Sequence, residues 1–214
     1  MKIVSTNVGL PRKVEWRGKT ITTSIFKAPV SGRLRVERLN LAGDRQSDLT
    51  VHGGADKAVY VYPSEHYAFW RNELPDAELP WGAFGENLTT QGLFEEAIRI
   101  GDRLHIGTAQ FVVTQPRMPC HKLGIRFGRA DMVKRFMKSA KTGFYLRVMQ
   151  EGDLAAGDSV SLFPQGDAGV AVADIVALYL SEEANQQLLR RASELSALPE
   201  SWREHFRQRL FEVG

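Results

Sequence analysis

From residue 1 to about residue 163 the apolar and polar positions alternate in short runs with a period of two. In TITTSIFK, residues 20–27, Ile21, Thr23 and Ile25 fall on one face, the pattern of a half-buried strand. VYVY, RLHIG, QFVVTQ, FYLRVM and SVSLF repeat the signal. Gly101-Asp102 and Gly157-Asp158 each form a turn that opens a strand. The prediction is a mixed α+β domain built on a β-barrel-like sheet.

Two helices interrupt the strands. One follows Pro63 with Tyr67, Trp70 and Leu74 on one face; the other lies near Asp131 with Val133, Phe136 and Met137. Both aromatic stripes read as core. PQGDAG after Phe163 reads as a linker. Beyond it the period changes to that of helices: an apolar one over 171–180, one over 182–195 with Leu188, Ala192 and Leu195 behind Ser181 as N-cap, and one over 199–210 with Trp202, Phe206 and Leu210. The division predicted is a barrel-like domain over 1–165 and a small three-helix domain over 170–214. Such a bundle is too small to stand firmly alone. It leans on the first domain or on a second copy of the chain, which leaves a homodimer open.

Composition narrows the function. The 214 residues are 43% apolar, and 28 basic against 25 acidic side chains give a net charge of +3, too mild to demand a nucleic-acid partner. One cysteine cannot form an internal disulfide. There is no run of about 20 apolar residues and no N-terminal signal-type segment, so a cytoplasmic protein without a membrane anchor is expected. RGKT at 17–20 lacks the first glycine of a phosphate loop, because Lys13 stands there. No serine has the flanking glycines that would make His52-Gly53-Gly54 part of a hydrolase. The scattered histidines and single cysteine do not form a zinc pattern.

Three segments carry candidate chemistry. In GDRQSDLTVHGGADKAVYVYPSEHYAFW, residues 43–70, Gly53 and Gly54 permit close backbone approach and positive φ, Arg45 and Lys57 supply cations, and His52 and Asp56 add hydrogen-bonding groups. Together they suit an anionic, polar ligand, with a glycine turn and solvated charges as the plainer reading. GAFGENLTTQGL, residues 82–93, centres on Glu86 and Asn87, and an asparagine can both donate to and accept from a heterocycle. TQPRMPCHKL, residues 114–123, places Cys120 among Arg117, His121 and Lys122. Those cations favour a thiolate, which serves equally as a nucleophile or a soft metal ligand. Neighbouring residues of an extended segment point apart, so His121 is not the direct base of Cys120.

The ordered set of these three segments with IGDRLHIG between the second and third resembles the MOSC family, and most closely its YiiM-like bacterial branch, which also carries a three-helix C-terminal domain. The resemblance implies a β-barrel-like domain that holds the molybdenum cofactor, a molybdenum atom on the dithiolene of a pyranopterin monophosphate. It makes Cys120, the cysteine of the QPR-x-PC segment, the protein ligand to molybdenum, with Pro119 stiffening its approach. It implies reduction of N-hydroxylated compounds (hydroxylaminopurines, amidoximes, hydroxylamines) with two electrons and two protons, leaving water.

On that reading Arg45, Lys57 and Arg117 are candidates for the cofactor phosphate and pterin, with Gly53 and Gly54 at the backbone. Asn87 and Gln115 are candidates for pterin hydrogen bonds, and His52 or His121 for proton relay. The N-terminal Lys-Ser pair of the family's eukaryotic amidoxime reductases has no counterpart here, and Lys27 is the nearest substitute. No flavin, haem or iron–sulfur motif is visible in the sequence, so an external reductase, a flavoprotein or a haem protein, is expected as electron donor. It would dock on the helical tail or on the Lys134–Lys141 basic segment, although a solvated helix face explains that segment more simply. Two alternatives remain: a sulfur carrier with a persulfide on Cys120, and a ligand-sensing nucleic-acid binder using the C-terminal arginines. Glu182, Glu183, Glu194, Glu200, Glu204 and Glu212 dilute those arginines, which favours a docking or dimerisation bundle.

Overall fold

The computed structural model describes residues 1–47, 53–164, 169–181 and 185–213. Twelve strands run in chain order: β1 Lys2–Val8, β2 Arg12–Trp16, β3 Lys19–Thr23, β4 Ala28–Pro29, β5 Leu34–Val36, β6 Val59–Pro63, β7 Leu88–Gln91, β8 Arg103–Ile106, β9 Ala109–Pro116, β10 Phe144–Gln150, β11 Gly152–Leu154 and β12 Val160–Phe163. Three helices lie among them, α1 His66–Glu73, α2 His121–Phe127 and α3 Met132–Ser139, and three follow, α4 Val172–Leu180, α5 Gln186–Glu194 and α6 Glu200–Val213.

Eight strands make one sheet in the order β12-β8-β9-β10-β6-β7-β1-β4. Its neighbours are antiparallel except β6 and β7, which are parallel and joined through α1 as a crossover, as parallel strands require. The sheet curls until β1 meets the start of β12: Ile3 N–H donates to the Asp158 carbonyl and Val160 N–H to that of Met1. Only an isolated bridge, Lys2 to Ser159, forms there. The expected barrel is therefore not closed. What reaches Met1–Ile3 is the turn at Gly157–Ser159 and the first residue of β12, while the body of β12 pairs with β8 and β4 takes the same edge of β1 only at Asn7 and Val8.

The alternation in VYVY, RLHIG, QFVVTQ, FYLRVM and SVSLF became β6, β8, β9, β10 and β12. TITTSIFK did not run its full length. β3 ends at Thr23, whose hydroxyl accepts the Ile25 N–H, and Ile25 turns into an aromatic cluster. The RGKT turn closes the β2–β3 hairpin as a two-residue loop, with Arg17 and Gly18 at φ 52° and 75°, the primed geometry that matches strand twist. β1, the short strands β4, β5, β7 and β11, and helix α2 carry no period long enough to announce them.

The helices after residue 170 fall near their predicted ranges, with one correction. Asn185, not Ser181, caps α5: its side chain accepts the Leu188 N–H at 3.1 Å, while Ser181 ends α4. The buried positions are accordingly Leu189, Ala192 and Ser193. On α3 the buried pair is Met132 and Phe136, with Val133 and Met137 only half covered.

One continuous core joins Phe111, Val113 and Leu146 of the sheet to Ile175, Leu189, Trp202 and Phe206 of the C-terminal helices. The three-helix unit thus packs on the sheet of its own chain. A second cluster gathers Tyr60, Tyr62, Tyr67, Trp70, Phe84 and Phe136 under α1 and α3. Among the described residues no helix is long and apolar enough to cross a membrane.

Candidate functional site

β9 ends at Pro116, and four residues later the chain enters α2. Cys120 is the residue before the helix, in an extended conformation (φ −123°, ψ 177°), and its thiol caps nothing. It is half-buried on the wall of a small, solvent-open cleft. The described lining includes four cations, Lys27, Lys57, Arg117 and Lys122, against one carboxylate, Asp44. Ser24, Tyr60, Asn87 and Tyr145 complete much of the wall.

Asp44 organises one side. Its side chain is 1% exposed and pairs with the Lys27 ammonium, while it also accepts the Gly9 N–H at 2.8 Å and Asn87 Nδ2 at 2.8 Å. Burial pushes the Lys27 amine below its ordinary range, and Asp44 only partly restores it. Lys57 is lowered by burial too. Cations held away from water without full compensation favour an anionic occupant.

Arg117 forms the other side. Its guanidinium lies over the Tyr60 ring at 4.9 Å and the Phe136 ring at 5.3 Å, within the range of cation–π attraction. Burial works against its charge, but the facing Tyr60 and Tyr145 hydroxyls and the Cys120 thiol outweigh it, so arginine is held even more firmly charged than usual. Burial also raises Tyr60 and Tyr145, which stay protonated. Arg117 Nη1 and Ser24 Oγ are buried in this wall and have no protein partner. Buried polar atoms are seldom left in that state.

The predicted residues divide clearly. Lys27, Lys57, Asn87, Arg117 and Cys120 meet in the cleft. Asn87 is there as framework: Nδ2 is held by Asp44 and Oδ1 accepts the Tyr60 N–H at 3.1 Å. Gln115 is withdrawn from it. Its Oε1 accepts Trp202 Nε1 from α6 at 2.9 Å, and its Nε2 donates to the Asp56 carbonyl at 3.3 Å. Arg45 is exposed and outside the lining, because Asp44 beside it takes the inward direction. His121, the first residue of α2, is likewise exposed and off the wall, and Lys122 turns in to donate to Ser47 Oγ at 3.2 Å. Gly54 has the positive φ expected (93°) as it enters a 3-10 turn, Ala55–Lys57, yet neither it nor Gly53 lines the cleft. His52 lies outside the described residues.

Reading the sequence missed Asp44, Ser24, Tyr60 and Tyr145. Asp44 lay inside the polar segment already singled out, but nothing local marks it as the carboxylate that turns inward. The tyrosines read as strand positions.

The MOSC domain family matches residues 48–161, more than half of the chain. The chain belongs to the MOSC family. The YiiM-like 3-alpha helix domain matches residues 170–211, so this MOSC protein carries the helical unit as well. It is 42% identical over 204 residues to the uncharacterized protein YflK of Bacillus subtilis, covering 95% of this chain and 92% of that one. The crystal structure of YiiM from Geobacillus stearothermophilus is similar with a TM-score of 0.81 at 35% identity, covering 98% of both chains. A Gibberella moniliformis protein named a reductase is 30% identical over 181 residues, which are 83% of this chain and 32% of that longer protein.

Proposed function

We propose that this MOSC protein is a molybdenum-cofactor-dependent reductase of N-hydroxylated compounds, with Cys120 as the protein ligand of the metal. The observation that carries the reading is the Cys120 thiol facing a cleft shared with four cations. Membership of the MOSC family and similarity to a protein named a reductase support it.

The residues present fit the cofactor. A thiolate is a soft ligand suited to a thiophilic metal, and the cations suit a phosphate and a dithiolene. The unpartnered Arg117 Nη1 and Ser24 Oγ are polar atoms that a bound polar group would satisfy. When bound, the cofactor supplies the redox change, two electrons that with two protons turn N–OH into N–H and water.

The chain itself holds and neutralises. Lys57, Lys122 and Arg117 set positive charge against the anionic groups, and Asp44 fixes Lys27 and Asn87 so that this side of the cleft keeps its shape. Tyr145, kept protonated by burial, acts as a hydrogen-bond donor, while the Tyr60 hydroxyl, also protonated, already donates to the Thr142 carbonyl at 2.8 Å and braces the wall. Lys57 Nζ, whose amine gives up its proton more readily than usual, is our candidate to deliver a proton to the departing hydroxyl.

The test is metal and pterin analysis of protein from a host that makes the cofactor, with turnover of a hydroxylaminopurine driven by a reduced viologen. Wild-type protein carries near-stoichiometric molybdenum and turns over; Cys120→Ser loses at least tenfold of both. Full turnover by Cys120→Ser refutes the reading. A persulfide on Cys120 in place of metal, seen by intact mass, favours the sulfur carrier.

A further inference from the structure

On the face behind the Arg117 wall, α1 and α3 border a second, solvent-open groove of about 1330 Å³. Lys134 and Lys138 stand four apart on α3, exposed on one face, and Lys141 follows the helix. The two carboxylates of this groove, Glu73 and Asp131, are both engaged by Arg135. Lys134, Lys138 and Lys141 pair with no carboxylate among the described residues. The groove's apolar element is Phe69, with the Lys141 ammonium 5.3 Å from its ring.

A line of packed rings leads inward from Phe69. Its ring is 5.0 Å from Trp70, and Trp70 is stacked on Phe136 at 5.8 Å and 10°. Phe136 lies 5.3 Å from the Arg117 guanidinium, on the wall that also bears Cys120. Electrons tunnel more readily through continuously packed atoms than across gaps, and no link in this line exceeds 5.8 Å between centres.

We propose that this basic groove docks an acidic electron-donor protein, a small flavoprotein whose carboxylate-rimmed flavin edge is presented to Phe69. The proposal rests on the reductase reading above. That reaction consumes two electrons, and a chain with one cysteine has no internal dithiol couple to supply them. A flavin hydroquinone carries both in one encounter: it is oxidised to flavin with release of two electrons and two protons, the substrate N–O bond breaks, one proton ends on nitrogen and the other on the departing oxygen as water. Three unneutralised lysines around an aromatic floor complement an acidic rim, and rim charges act through association rate and salt dependence.

The experiment uses cofactor-loaded protein, a hydroxylaminopurine substrate and two donors, reduced flavodoxin as the acidic probe and reduced methyl viologen as a small dye. With flavodoxin, wild-type kcat/KM falls steeply as salt shortens the range of electrostatic attraction. Lys134→Glu/Lys138→Glu/Lys141→Glu lowers that value at least tenfold, flattens its salt dependence and leaves viologen-driven turnover unchanged. Lys13→Glu/Lys19→Glu, on the exposed β2–β3 hairpin, leaves both donors unaffected. Equal flavodoxin rates in the triple variant and wild type overturn the proposal, as does turnover with viologen but none with flavodoxin. Preferential occupation of the groove by single-stranded DNA at physiological salt overturns it as well. If viologen drives no turnover in loaded wild-type protein, the reductase reading itself fails and the donor site falls with it.

Discussion

Asp44→Asn isolates the contribution of the ion pair behind the cleft. Asparagine keeps the size of the side chain but removes the charge facing Lys27, whose own side chain is only 9% exposed. The amide oxygen can still take the Gly9 N–H or Asn87 Nδ2, but the Lys27 ammonium is left without its counter-charge. Breaking a buried pair from one side costs about 3–5 kcal/mol. Lysine has an escape, since it can release its proton. At pH 7 that costs about 4.6 kcal/mol against an ordinary value of about 10.4, at ~1.36 kcal/mol per unit.

The expected loss at pH 7 is therefore about 3–4.5 kcal/mol, which with a urea m-value of about 3 kcal/mol/M lowers the midpoint by about 1–1.5 M. The pH dependence follows from the direction of the shift. Burial already holds folded Lys27 below its ordinary value of 10.5, and the substitution pushes it further down. Between the folded and unfolded values the unfolded chain binds more protons, so stability rises with pH across that window. The deficit of Asp44→Asn should shrink as pH rises from 7 toward 10, by up to about 1.4 kcal/mol per unit. Adding Lys27→Met should recover most of the loss. A loss below about 1 kcal/mol with no pH dependence would refute the argument.

Three further substitutions probe the frame. Gly143→Ala places a Cβ 2.3 Å from the Val61 carbonyl oxygen and 2.9 Å from the Tyr60 and Tyr62 rings, at φ 62°, and should cost more than about 3 kcal/mol. Gly128→Ala has a similar φ of 64° but open space and should cost only about 1–2 kcal/mol; equal losses in thermal unfolding would contradict the steric account. Trp202→Phe removes the indole N–H that reaches Gln115 Oε1 at 2.9 Å, leaving a buried acceptor unpaired. Urea unfolding should show a loss of about 1–3 kcal/mol, and an unchanged midpoint would mean that this bond does not hold the helical unit to β9.

The sequence by itself determined what depends on neighbours in the chain. Strands such as β6 and β10 announced themselves by alternation, α4 and α6 by helical spacing, and Cys120 by a thiol among cations and prolines. Short elements escaped because β4 has two residues, too few to show any period, and α2 is only seven long. Only the tertiary structure decided which polar groups face the thiol. Asp44 meets Lys27 from 17 residues away and Asn87 from 43, and Trp202 takes Gln115 out of the cleft across 87 residues. The direction of a loop side chain is set by the partners that long-range strand pairing brings to it. Arg45 and His121 therefore read as site residues beside Asp44 and Lys122, and the fold turned them to solvent.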